Sequence, residues 1–108
     1  MLDPGPTIGS EQRGYRPYLV ASIEAMNRAP AELALVMPLT TTPRENPLHV
    51  RIEPAESGLP RVSYAMPERV RSVSTQRFGR RVGRTPLATV ETATAHAGLL
   101  LGLGSVKL

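Results

Sequence analysis

The sequence contains no cysteine and no tryptophan, and aromatic residues make up only 4% of its 108 positions. Without cysteine there can be no disulfide, thiolate metal site or cysteine nucleophile, so noncovalent packing alone holds the fold. With so few rings, aliphatic side chains must fill the interior, and base stacking is confined to Tyr15, Tyr18, Tyr64 and Phe78. No apolar run approaches the roughly 20 residues that cross a bilayer, and the N-terminus has no basic stretch leading into an apolar one. The expectation is a cytoplasmic protein with no membrane partner. The phosphate-binding P-loop, the dinucleotide fingerprint, HExxH and GxSxG are all absent, and no cofactor or metal is implied.

What is present points to a polyanion. Thirteen basic residues against nine acidic ones give a net charge of +4 and a pI near 10.3. Twelve of the thirteen are arginine, and Arg69, Arg71, Arg77, Arg80, Arg81 and Arg84 lie in one stretch beside a single acid, Glu68. Arginine offers a planar fork of donors that fits phosphate oxygens in pairs, although codon usage in a GC-rich genome accounts for such an excess equally well. A chain this short supports one domain, taken here as residues 1–108, and 41% hydrophobic residues suit a globular one.

Glycine and proline crowd residues 1–17, which reads as a loop. The runs Tyr18–Ile23 and Leu33–Pro38 read as buried strands, with a helical turn over Glu24–Ala29 between them. Thr40–Pro47 reads as a polar loop, His49–Glu53 as a half-buried strand, Ser57–Arg61 as a turn, and Val62–Met66 and Arg69–Val73 as two more strands. In the last of these Arg69, Arg71 and Val73 share one face and Val70 and Ser72 the other. RFGRRVGR reads as a basic patch or a simple turn. Thr85 as N-cap and Pro86 at the first helical position open a helix whose inward face carries Leu87, Val90, Ala93 or Thr94, Ala97 and Leu101, with Gly102 and Gly104 as its stop. The sum is about five strands and a C-terminal helix, a small barrel-like sheet with a helical cap.

Were the polyanion RNA, cleavage through its own 2′-OH would need a proton acceptor, stabilisation of charge on phosphorus and help for the departing 5′-oxygen. The two histidines, His49 and His96, show no spacing that suggests a pair. Arg16, between a glycine-containing loop and Pro17, is placed either to meet a phosphate or to form a salt bridge with Glu11. Thr40 can bind a phosphate or simply form a turn. Glu68 is a proton acceptor kept ionised by Arg71, or a structural partner of that arginine. Ser10, Glu11, Gln12 and Tyr15 offer groups suited to reading unpaired bases or to ordering their own loop. His49, beside the polar loop, and Arg69, Arg71 and Arg77 complete the candidate RNA contacts.

Three segments, GSEQRGYRPYLV from Gly9, MPLTTT from Met37 and PERVRSVSTQRFGRRVG from Pro67, resemble in order and spacing the MazF/PemK family of toxin endoribonucleases. The likeness extends through HVRIEP from His49 and LLLGL at the end of the helix. It implies an SH3-like barrel of the MazF/Kid/CcdB toxin type and a homodimer. It also implies metal-independent, sequence-specific cleavage of single-stranded mRNA to 2′,3′-cyclic phosphate ends, and a cognate antitoxin that blocks the RNA groove. Arg16, followed by Pro17, matches the family's catalytic RP motif, Thr40 lies in its PLT motif, and Glu68 stands where a related branch carries Asp.

Two departures stand out. Relatives carry a segment resembling RGDVWLVDL ahead of the stretch seen here as LDPGPTIGSEQ. Its absence implies a barrel without the usual first strand, an open sheet edge and a misassigned start codon. Arg69 stands where relatives commonly have Gln, which implies a shifted sequence preference. A CcdB-like inhibitor of a protein target such as gyrase, and a basic nucleic-acid-binding module without chemistry, remain the alternatives.

Overall fold

A computed structural model describes residues 7–11, 16–22, 30 and 32–102. Seven strands form one curled sheet: β1 (Thr7–Glu11), β2 (Pro17–Val20), β3 (Leu33–Thr40), β4 (Val50–Ile52), β5 (Ser63–Ala65), β6 (Arg71–Ser74) and β7 (Phe78–Arg84). Their order is β4-β5-β3-β2-β1-β7, with β6 also paired to β3. A one-turn helix, α1 (Pro54–Ser57), precedes β5, 3-10 turns at Pro67–Arg69 and Thr75–Arg77 flank β6, and α2 (Leu87–Leu100) closes the chain. The mainly β half-barrel with a C-terminal helix is the expected fold class.

Side-chain alternation divides the sheet into two faces. Ile8, Leu19, Met37, Val50, Ile52 and Ala65 pack with Val90, Ala93 and Ala97 of α2 in the main core. The opposite face buries Tyr18, Val20 and Val36 beneath Val73 and Phe78, and the Tyr18 and Phe78 rings lie 5.6 Å apart. β3 is the hub because it pairs on one side with β2, and on the other first with β6 and then with β5.

The structure corrects several expectations. Thr7–Glu11, read as loop, is a strand bonded to both β2 and β7; Gly9 fits there because the Tyr18 ring lies against it. RFGRRVGR lies almost wholly in β7 rather than in a turn. Gly83 belongs in this strand because a Cβ there would stand 1.9 Å from the Ser57 carbonyl oxygen at the end of α1. Arg69 lies in a 3-10 turn, not a strand, and Ser72 is exposed rather than inward, whereas Val70 packs on the main core as expected. Thr85 does not cap α2: it is buried, and Pro86, in extended geometry, takes the cap position instead. Leu87 and Leu101 are exposed, so the helix buries only Val90, Ala93 and Ala97. The expected turn over Glu24–Ala29 lies outside the described residues, as does Gly104.

Candidate active site

The site is built where β2, β3 and the Pro67–Arg69 turn converge. The β2–β3 ladder pairs Tyr18 with Pro38 and Leu19 with Met37. Continuing that antiparallel register brings Arg16 opposite Thr40, at the end of β3 that also pairs with Tyr64. The Met66 N–H donates to the Pro38 carbonyl at 3.1 Å, which ties the turn carrying Glu68 and Arg69 to the same end of β3. Between these elements runs a groove of about 380 Å³ with Pro17, Tyr18, Pro38, Leu39 and Met66 in its lining. Arg16, Arg69 and Arg71 complete that lining. A mostly apolar floor bordered by three guanidinium groups is suited to an anion whose non-charged parts also need a surface.

Thr40 lies just beyond the groove lining. Its Oγ1 accepts a hydrogen bond from the Thr42 N–H at 3.1 Å. The oxygen is thereby fixed in place while the hydroxyl proton stays available for donation.

Glu68 meets a partner that the sequence did not suggest. Its Oε2 accepts from Nε2 of His49 at 2.8 Å. The two meet because β4 and β5 pair Val50 with Ala65, so the residue before β4 faces those following β5. The His49 side chain is 4% exposed and that of Glu68 31%, so the imidazole lies behind and the carboxylate faces outward. Burial by itself would raise the Glu68 pKa. The hydrogen bond from His49, a backbone hydrogen bond and the charges of His49 and Arg69 outweigh it, and the carboxyl sits below its ordinary value. His49 Nδ1 is buried and has no partner among the described residues. A carboxylate only accepts, so Nε2 carries the proton of the His49–Glu68 contact.

The remaining expected residues are dispersed. Ser10 is 6% exposed within β1, and its carbonyl accepts from the Tyr18 hydroxyl at 3.2 Å, which leaves it little surface for a base. Glu11 ends that strand, and Gln12 and Tyr15 lie outside the described residues. Arg77 follows β6 at its far end and does not line the groove. Sequence reasoning missed the His49–Glu68 pair, although a signal was present. Pairing the expected strands His49–Glu53 and Val62–Met66 end to end as a hairpin puts His49 opposite Met66, two residues from Glu68.

Residues 1–101 match the family described as PemK-like, MazF-like toxin of type II toxin-antitoxin system. The chain is similar to endoribonuclease EndoA of Bacillus subtilis, with 32% identity over 77 residues; the match covers 70% of this chain and 66% of that protein, just short of two thirds. Among solved structures, the Mycobacterium tuberculosis toxin MazF-mt6 superposes with a TM-score of 0.77 at 23% identity, over 92% of this chain and 99% of its own. A MazE-MazF structure from Deinococcus radiodurans gives 0.76 at 26% identity, over 95% and 97%. A mycobacterial endoribonuclease in complex with its cognate antitoxin gives 0.75 at 24%, over 98% and 99%.

Proposed function

The chain belongs to the PemK-like, MazF-like toxin family of type II toxin-antitoxin systems, and from that membership we propose that it is a toxin that cleaves single-stranded mRNA without a metal. The observation that carries this reading is the convergence of a three-arginine groove with an outward carboxylate backed by a buried imidazole.

In the proposed reaction the RNA backbone lies along the groove with the scissile phosphate at Arg16. Glu68, a carboxylate whose pKa lies below its ordinary value, accepts the proton of the 2′-OH as that oxygen attacks phosphorus. His49 holds the carboxylate in place from behind and acts through it rather than on the RNA directly. Arg16 meets the negative charge that accumulates on the phosphoryl oxygens, and as a guanidinium of pKa above about 12 it cannot be the base. Thr40 donates its hydroxyl proton to the same phosphate. Cleavage of the P–O5′ bond leaves a 2′,3′-cyclic phosphate, and the departing 5′-oxygen takes up a proton from water to become a 5′-hydroxyl while Glu68 returns its proton to solvent. DNA, lacking the 2′-OH, is not a substrate.

The preference for a short sequence, a cognate antitoxin that blocks the groove, a cytoplasmic site of action and a homodimer belong to the same proposal. Leu33 and Leu35 on β3 and Leu99 and Leu100 on α2 are large exposed apolar residues that a second copy would cover. The test is incubation of the purified protein with mixed-sequence RNA in EDTA. Fragments ending in 2′,3′-cyclic phosphate, lost by a factor of about 10² to 10³ in Arg16→Ala, support the reading. Intact RNA that is nevertheless bound tightly points to a binding module, and neither cleavage nor binding points to a protein target.

A further inference from the structure

His96 takes no part in the reaction just described, yet it reaches the chain beside His49. It sits half-buried on α2, and its Nδ1 is 2.8 Å from the carbonyl oxygen of Leu48. A carbonyl can only accept, so Nδ1 carries the proton, and it does so whether the ring is neutral or charged. That carbonyl belongs to the peptide unit joining Leu48 to His49. The other polar group of the unit, the His49 N–H, donates to the Asn46 carbonyl at 3.1 Å. One residue earlier, the Leu48 N–H donates to Asn46 Oδ1 at 2.9 Å. Both ends of the peptide plane from which His49 departs are therefore held, one by the local turn and the other by a helix 48 positions away in sequence. On the far side of His49 the ladder takes over, with Val50 paired to Ala65.

The helix bears on the other partner too. α2 packs against both β4 and the Pro67–Arg69 turn that carries Glu68. It thus contacts the supports of both members of the His49–Glu68 pair, by hydrogen bond on one side and by packing on the other. Without the His96 donor the Leu48 carbonyl is left to water, the peptide plane can rotate, and the imidazole loses its aim at Oε2.

We propose that His96 is a positioning residue, which fixes the Leu48–His49 peptide and thereby sets the His49–Glu68 contact. This rests on the reading that Glu68 and His49 serve RNA cleavage, and the test separates the two. His96→Leu removes the donor and keeps the bulk, whereas His96→Asn places an amide N–H near the position of Nδ1. In His96→Leu, kcat on the mixed-sequence RNA is expected to fall about 10- to 100-fold, the scale set by a misplacement of about 1 Å. KM, and binding of a 2′-O-methyl version of that RNA, stay within about twofold of wild type because the groove arginines are untouched. His96→Asn restores most of kcat.

Proton NMR of the imidazole groups supplies a readout independent of cleavage. The hydrogen-bonded Nε2 proton of His49 is expected in wild type and His96→Asn and absent from His96→Leu, with thermal unfolding confirming that all three are folded. Wild-type kcat in His96→Leu, a parallel rise in KM, or an unchanged His49 signal in that variant overturns the proposal. If wild type leaves RNA intact while the NMR pattern holds, the cleavage reading fails and the positioning role stands.

Discussion

The sheet makes its most specific demand at Gly83. An alanine there would place its Cβ 1.9 Å from the Ser57 carbonyl oxygen and 2.7 Å from the Ser57 carbonyl carbon, when real Cβ atoms essentially never come within 3.0 Å. A gap of about 1.1 Å must open, and both sides of it are backbone. On one side is β7, held to β1 through Ile8; on the other is the end of α1, whose Ser57 is fully buried and hydrogen-bonded back to the Glu53 carbonyl through both its N–H and its Oγ. Neither can move as a flexible side chain would. Overpacking of this kind costs about 1 to 3 kcal/mol and at rigid sites more, so Gly83→Ala is placed at about 3 kcal/mol or above. For a domain near 100 residues that lowers Tm by about 12 to 24 °C.

Gly9→Ala is the graded control. Its Cβ would meet the edge of the Tyr18 ring at 3.3 Å, a contact that a ring can relieve by a few tenths of an ångström, so its cost is put at about 1 kcal/mol. Urea unfolding at fixed protein concentration, followed by circular dichroism, measures both. A loss below about 1 kcal/mol in Gly83→Ala, or equal losses in the two variants, refutes the claim that α1 and β7 meet backbone to backbone.

Three further outcomes are expected. The pH profile of kcat/KM should keep its acid limb below the ordinary carboxyl value of 4.5, because the lowered Glu68 pKa keeps the base ionised until pH falls through it; His49→Leu leaves burial unopposed by the imidazole and moves that limb upward, and an unmoved limb would show that His49 does not act on Glu68. The same sign governs folding: stabilisation from ionised Glu68 is present above the unfolded pKa and is lost as pH falls through the lower folded one. Arg69→Gln should reduce the salt dependence of single-stranded RNA binding by about 0.7 in log–log slope, the share of one phosphate contact, and an unchanged slope would remove Arg69 from the RNA path. Tyr18→Phe strands the Ser10 carbonyl from its buried donor and should cost about 1 kcal/mol in urea unfolding, whereas a neutral result would mean that the hydroxyl makes no net contribution.

Short motifs made much of the candidate site legible. On local chemistry Arg16 before Pro17 and Thr40 at the end of an apolar run have structural readings just as good, and it is the RP and PLT motifs around them, which resemble the family's, that single them out. The strands at Leu33, Val50 and Ser63 were legible because aliphatic or alternating runs bounded by breakers admit few other readings. β1 and β7 were not. Their glycines and arginines argue for turns when read locally, and only pairing with each other, with β2, and against the Tyr18 ring and the Ser57 backbone makes strands of them.

Composition and motif thus determined a basic, disulfide-free chain of the toxin family, and marked Arg16 as the residue proposed to meet the phosphate. Tertiary structure decided which group stands behind the carboxylate. His49 lies 19 positions from Glu68, and His96 lies 48 positions from Leu48. Neither contact can be read from the residues flanking it, because the first depends on the register of the β4–β5 hairpin and the second on how the helix docks.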